Sequence, residues 1–254
     1  IDAGRLSDAT MWRYQHNDLG NLSKRLSRSE TSSMIITDGV FSMDGDAADL
    51  KGLAALANEN QCWLIVDDAH GFGVLGKTGA GLVEQAGLTS EQVPVLMATL
   101  GKAAGTAGAF VAGDNDLVEY LIQSARTYVF TTAMPPALAA AGRMSLRLIQ
   151  EESWRRDQLK QNIHQFRQGA EALGLPLMPS KTAIQPILLG ASERSLNWSS
   201  KLLEKGILVT AIRPPTVAKN EARLRITLSA THSASQIDQL LETLAAITVT
   251  EEIE

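Results

Sequence analysis

Cysteine is almost missing from this chain. Cys62 stands alone among 254 residues, so no intramolecular disulfide can form, and a reducing, cytoplasmic setting is expected. Aromatic residues make up only 5%, too few for platforms on which bases would stack. No stretch approaches the ~20 consecutive apolar residues that cross a bilayer. No basic segment followed by an apolar core opens the chain, so no signal peptide is read. Basic residues are not clustered: 23 Lys and Arg against 28 Asp and Glu give a net charge of -5. That balance argues against nucleic acid or an anionic membrane as the main partner. What is present is 44% hydrophobic residues, enough for a sizeable core and too many for a disordered chain. The length allows one large domain or two ordinary ones.

Strand and helix signals alternate. Short apolar runs at 34–37, 63–66, 93–100 and 107–112 have strand length, and Leu50, Leu53, Ala54, Leu56 and Ala57 have helical spacing. Fully apolar strands separated by helices predict α/β architecture, with a mostly parallel sheet covered on both faces. Pro135-Pro136 stands before a predicted helix over 137–149, where proline suits a helix start. A second helix is predicted over 154–173, with Glu151, Glu152, Arg155, Arg156, Asp157 and Lys160 read as a solvated face. Beyond Gly174 come strands at 183–189 and 207–212, a helix at 196–204, and an alternating, half-buried strand at 224–228. Ser233-Ala234-Ser235-Gln236 has the form of a capping box opening a last helix. The tail 250–254 is expected to fray. The predicted division is a large domain over residues 1–150 and a smaller C-terminal α/β domain over 151–254.

Gly71-Phe72-Gly73-Val74-Leu75-Gly76-Lys77-Thr78 satisfies the P-loop pattern, and its glycines satisfy a dinucleotide fingerprint. Both motifs need a helix directly after the loop, because its N-terminal amides bind phosphate. Gly79-Ala80-Gly81 follows instead. A flexible glycine-rich loop is the better reading, with a nucleotide-binding protein as the rival. Asp67-Asp68-Ala69-His70 ends an apolar strand, where ligands bind in open α/β sheets. The other histidines, His16, His164 and His232, are scattered without metal-ligand spacing, so no metal is expected. No Gly-x-Ser-x-Gly elbow supports a hydrolytic triad. Thr99-Leu100-Gly101-Lys102 ends the next strand with a lysine among small residues. In a partly buried pocket such an amine suits imine chemistry.

Taken together, a strand ending in Asp and His followed by a strand ending in Thr-x-Gly-Lys meets the needs of pyridoxal 5'-phosphate (PLP). The segments 38–46, 66–71, 99–102 and 131–136 resemble the α-oxoamine synthases, fold-type I PLP enzymes of the aspartate aminotransferase-like class that condense an amino acid with an acyl thioester. Within that family, 210–217 and 223–228 are similar to the branch that joins L-alanine to a pimeloyl thioester, on CoA or an acyl carrier protein, for biotin synthesis. The relatives that make aminolevulinate, aminoketobutyrate or ketosphinganine carry a different segment at 211–213. A glycine C-acetyltransferase-like member of the family is the alternative.

The resemblance implies a role for each matching residue. Lys102 is the imine lysine and the acid/base at the substrate's Cα. Asp67 meets the pyridine nitrogen, and His70 and Ser42 lie near the phenolic oxygen. Thr99 binds the phosphate, while Thr131 and Thr132 reach the phosphate of a neighbouring subunit, which implies a homodimer. Arg225 holds the substrate carboxylate, Thr216 contacts substrate and Arg213 assists. Asp68 is expected to be structural. The segment 3–16 is expected to be the helix that follows the family's N-terminal portion. Ile1-Asp2-Ala3, without a starting Met, predicts a processed or truncated piece. A piece without that portion is expected to hold PLP weakly and to turn over little. A catalytically empty structural half is therefore a further rival.

Overall fold

The computed structural model describes residues 2–29 and 31–251. In chain order its elements are α1 (Asp2–Leu6), α2 (Leu19–Leu26), β1 (Met34–Asp38), α3 (Leu50–Glu59), β2 (Trp63–Asp67), α4 (Leu82–Ala86), β3 (Val95–Thr99), β4 (Ala109–Ala112), α5 (Asn115–Ser124), α6 (Arg126–Val129), α7 (Pro136–Glu151), α8 (Trp154–Ala172), β5 (Ile184–Gly190), α9 (Ser192–Glu204), β6 (Thr210–Ile212), β7 (Ala222–Thr227) and α10 (Ala234–Glu251).

The first four strands form one sheet in the order β1-β2-β3-β4. β1, β2 and β3 run parallel, and β4 closes the edge antiparallel to β3. Their C-terminal ends therefore share one edge, which carries Asp38, Asp67 and Thr99. α3 lies against this sheet because Leu50, Leu53, Ala54 and Ala57 fall on one stripe and meet Ile35, Leu64 and Val66. Asp49 starts the helix by accepting from the Gly52 amide at 3.0 Å. Each fully buried Leu or Val here contributes about 1.5–3 kcal/mol.

One face of the sheet departs from expectation. Met34 and Ile36 on β1 are 63% and 61% exposed, although the run was expected to be covered on both sides. Trp63 and Val111 are exposed as well. Strand pleating sends Ile35 and Thr37 to the helix-covered face and Met34 and Ile36 to the other, where no described element packs over them.

The remaining strands form a second sheet in the order β5-β7-β6, antiparallel throughout. Its core gathers Phe166, Ile187, Trp198, Leu202, Leu224 and Leu244. β7 was expected to alternate between buried and exposed positions. It does so over the predicted stretch, where Leu224, Ile226 and Leu228 are buried and Arg225 and Thr227 are more open; ahead of it Ala222 and Arg223 are both buried, because the strand is central and Arg223 finds an ion partner. The predicted solvated face of α8 also needs correction. Arg156 is 5% exposed, and its guanidinium donates to the Ile149 carbonyl at 2.6 Å and the Lys77 carbonyl at 2.9 Å.

The predicted helix over 3–16 stops at Leu6. Tertiary bonds replace it further on: Asn17 Nδ2 donates to Asp46 at 2.7 Å and to the Ala47 carbonyl at 3.1 Å. At the other end, Thr250 and Glu251 belong to α10, with Glu251 held by Arg194 at 2.8 Å. Residues 252–254 of the expected frayed tail lie outside the described residues.

Candidate active site

The site is built where the parallel strands end. β2 delivers Asp67, whose Oδ1 accepts from the Ala69 amide at 3.0 Å, and His70 follows three residues later. β3 ends at Thr99, and a tight loop carries Lys102, closed by Thr106 N to Leu100 O and Leu100 N to Gly108 O, both 2.9 Å. From the second sheet, β7 contributes Arg225. His70, Lys102 and Arg225 line one cavity of about 700 Å³, together with Phe72, Ala103 and Thr227.

Charge is concentrated there. Burial is the largest influence on His70, and the Lys102 and Arg225 cations add to it; against the opposing Asp67 carboxylate they pull its pKa down to about 4. At neutral pH the imidazole is therefore uncharged, able to donate from one nitrogen and accept at the other. Burial also lowers the Arg225 pKa, leaving the guanidinium charged. Arg225 spends its Nε on the Ser42 carbonyl at 2.6 Å and shares Nη1 with Thr227 Oγ1 at 3.2 Å. Its remaining N–H groups are available to a carboxylate at the cavity it lines.

Lys102 is exposed on the cavity rim rather than partly buried, because its loop packs little beyond Ala104. Among the described residues its ammonium has no hydrogen-bond partner. Thr99 Oγ1 is buried and likewise lacks one. Thr99 is not among the residues lining the cavity, but an orphan hydroxyl at the strand end and an unpaired amine three residues later, at the edge where ligands enter, fit an anionic cofactor that offers both an acceptor and a carbonyl carbon.

The other candidate residues are placed differently. Asp67 does not line the cavity, yet its carboxylate acts on His70 and on Asp38. Ser42 reaches the site through its backbone carbonyl. Thr131 and Thr132 are exposed between α6 and α7, away from the cavity, with Thr131 Oγ1 donating to the Thr127 carbonyl. Arg213 and Thr216 are exposed in the β6–β7 turn, closed by Thr216 N to Arg213 O at 3.0 Å. Asp38 was not singled out from the sequence. It pairs in register with Asp67, and burial and that neighbouring carboxylate raise its pKa while Lys102 lowers it. Its signal was an apolar run ending in Asp beside another such run.

The glycine-rich loop is not a phosphate cradle. The amides in it and just after it are taken by the protein's own oxygens: Gly73 N, Val74 N and Leu75 N donate to backbone carbonyls, Thr78 N and Ala80 N donate to Glu84 at 3.0 and 3.1 Å, and Leu82 N donates to Asp68 at 2.6 Å. Burial pushes the Glu84 pKa up, but these amides outweigh it and hold the carboxyl below its ordinary value. A phosphate would have to displace one of these acceptors from each place. The nucleotide-binding alternative fails on this geometry.

The sequence pattern of the aminotransferase class I and II family matches residues 1–244. The chain belongs to that family. Among curated proteins, it is 58% identical over 244 residues to an 8-amino-7-oxononanoate synthase of Pseudomonas aeruginosa, covering 96% of this chain and 61% of that one. It is 56% identical over 248 residues to one from Saccharophagus degradans, covering 97% and 62%. The chain thus spans about three fifths of the length of these relatives. Among solved structures, serine palmitoyltransferase from S. paucimobilis with a bound PLP–myriocin aldimine superposes with TM-score 0.94 at 29% identity, over 100% of this chain and 64% of that one. An 8-amino-7-oxononanoate synthase from Francisella tularensis gives 0.85 at 34% identity, over 99% and 72%. The architecture is that of the fold-type I PLP-dependent transferases.

Proposed function

We propose that this chain carries the lysine-bearing part of a PLP-dependent acyltransferase that makes 8-amino-7-oxononanoate from L-alanine and a pimeloyl thioester, on CoA or an acyl carrier protein. The reaction joins alanine's Cα to the acyl carbon, breaks the C–S bond, and releases the thiol and carbon dioxide. The observation that carries the reading is the convergence of His70, Lys102 and Arg225 on one cavity at the strand ends. The 58% identity to the Pseudomonas aeruginosa synthase supports the choice of substrates.

PLP supplies an electron sink for negative charge at the amino acid's Cα. Lys102, a primary amine without a competing partner, holds the cofactor and moves the Cα proton. Asp67 is assigned to the pyridine nitrogen, where a carboxylate keeps that nitrogen protonated. His70, neutral at pH 7, and Ser42 are assigned to the phenolic oxygen, and Thr99 to the phosphate. Arg225 takes the alanine carboxylate, with Thr216 and Arg213 on the substrate side. Thr131 and Thr132, exposed here, are assigned to the phosphate held by a second copy in a homodimer. The exposed apolar side chains of the first sheet support association. The division at residue 150 agrees with the two separate cores. A cytoplasmic location agrees with the free thiol of Cys62; among the described residues no helix is long and apolar enough to cross a membrane.

The test is covalent. PLP is added, the protein is reduced with borohydride, and the labelled peptide is mapped by mass spectrometry. Label on Lys102, lost in Lys102→Ala, is the expected result. Label that persists in the variant, or none in the unaltered protein, refutes the assignment.

A further inference from the structure

We propose that Asp44 and Arg223 form a positioning pair that sets Arg225 against Ser42 and thereby tunes affinity for the amino acid's carboxylate. The proposal rests on the function given above. The turn after β1 folds back on itself, with Phe41 N donating to Asp46 O at 2.9 Å and Gly45 N to Phe41 O at 2.8 Å. It is seated against the second sheet: Ser180 Oγ and Thr182 Oγ1 both donate to the Gly45 carbonyl, at 2.8 and 2.9 Å. Gly45 sits at φ +72°, and a Cβ there would meet the Ile184 carbonyl at 2.3 Å, so the turn and β5 are in close contact.

Two arginines on β7 grip this turn. Arg223 and Arg225 are two residues apart and so share one face of the strand. Arg223 Nη1 donates to Asp44 Oδ1, and Arg225 Nε donates to Ser42 O at 2.6 Å. The spacing on the turn matches the spacing on the strand. Arg223 is 3% exposed, and its other carboxylate neighbour, Glu221, is exposed and 3.5 Å away. Asp44 is therefore the partner that makes burial of this charge tolerable. Asp46 is held off by His16 and Asn17, at 2.8 and 2.7 Å. Removing the Asp44 charge leaves Arg223 to seek water, and β7 moves with it. Arg225 then loses its register on Ser42 while Lys102, on the other sheet, is untouched.

The variant is Asp44→Asn, similar in shape but uncharged. L-Alanine is titrated into PLP-loaded protein and followed by visible absorbance. About tenfold weaker alanine affinity is expected, with the borohydride-trapped Lys102 adduct unchanged and affinity recovered in Asp44→Glu. Hydrogen–deuterium exchange on cofactor-free protein is expected to show faster exchange at the Phe41 and Gly45 amides. Affinity within twofold of the unaltered protein overturns the proposal, as does an affinity loss matched by an equal loss of adduct. Should Asp44→Asn fail to fold, Arg223→Lys, which keeps the charge but loses the fork, is judged by the same criteria. If the unaltered protein traps no adduct, the functional reading fails. The exchange comparison then decides the pair by itself: faster exchange supports it and unchanged exchange overturns it.

Discussion

Asp67 and Asp68 are neighbours in sequence with opposite surroundings. Asp67 stands at the strand end near the cavity, whereas Asp68 is 0% exposed. Its Oδ2 accepts from the Leu82 amide at 2.6 Å, and its Oδ1 has no partner among the described residues. Glycines press on it, since a Cβ at Gly71 or Gly81 would lie 2.1 or 2.0 Å from its oxygens. Burial is the largest influence on its pKa and, with the Asp67 charge, outweighs the stabilising amides, raising it to about 7. A carboxyl that binds its proton more tightly when folded stabilises the fold at low pH. That contribution is complete below about pH 4 and is lost as pH rises through 7. Asp68→Asn cannot titrate, so its stability relative to the unaltered protein should improve by a few kcal/mol between pH 4 and pH 8. Urea midpoints at the two pH values measure this; a pH-independent difference rules out titration of Asp68. His70 has the reverse sign: its lowered pKa gives a contribution present above its ordinary pKa and lost as pH falls through about 4. Lys102→Ala removes a facing cation, so the His70 pKa followed by NMR should rise; no change would place that charge elsewhere.

At the scale of elements, the capping box at α10 is present as the sequence predicts. Gln236 N donates to Ser233 Oγ at 3.3 Å, and Ser233 N donates to Gln236 Oε1 at 2.9 Å. Ser233→Ala should cost about 1 kcal/mol in a urea unfolding series, and a cost near zero would mean solvent caps the helix equally well. The box was legible because its residues lie within four positions. The strand ends bearing Asp67 and Thr99 were legible for the same reason: apolar runs stop abruptly at polar residues. Partners far apart in sequence were not legible. Arg156 looked solvated because the carbonyl that buries it belongs to Lys77, 79 positions away. The alternation over 224–228 could be read locally, but nothing local reports that this strand lies between two others or that Arg223 just before it is buried. The glycine loop met a phosphate motif in letters, and only the fold shows Glu84 in the anion's place.

For the whole molecule, the two faces of the first sheet set a contrast between adjacent residues. Ile35 is 2% exposed beneath α3, and Ile36 is 61% exposed on the opposite face. The same side chain thus removes very different areas from water. Ile35→Ala deletes buried methyl groups and leaves a cavity, at a cost of about 2–5 kcal/mol. Ile36→Thr keeps the β-branch and loses little burial, so it should cost less than about 1 kcal/mol. Met34, Ile36, Trp63 and Val111 together place apolar surface where water meets it, and contiguous surface of that kind drives association. Met34→Thr combined with Ile36→Thr should therefore leave the urea midpoint at low protein concentration nearly unchanged. The same pair should shift sedimentation velocity profiles toward the smaller species. A large loss of stability from Ile36→Thr in dilute protein would mean that this face is packed within a single chain, and the association reading of the sheet would fail.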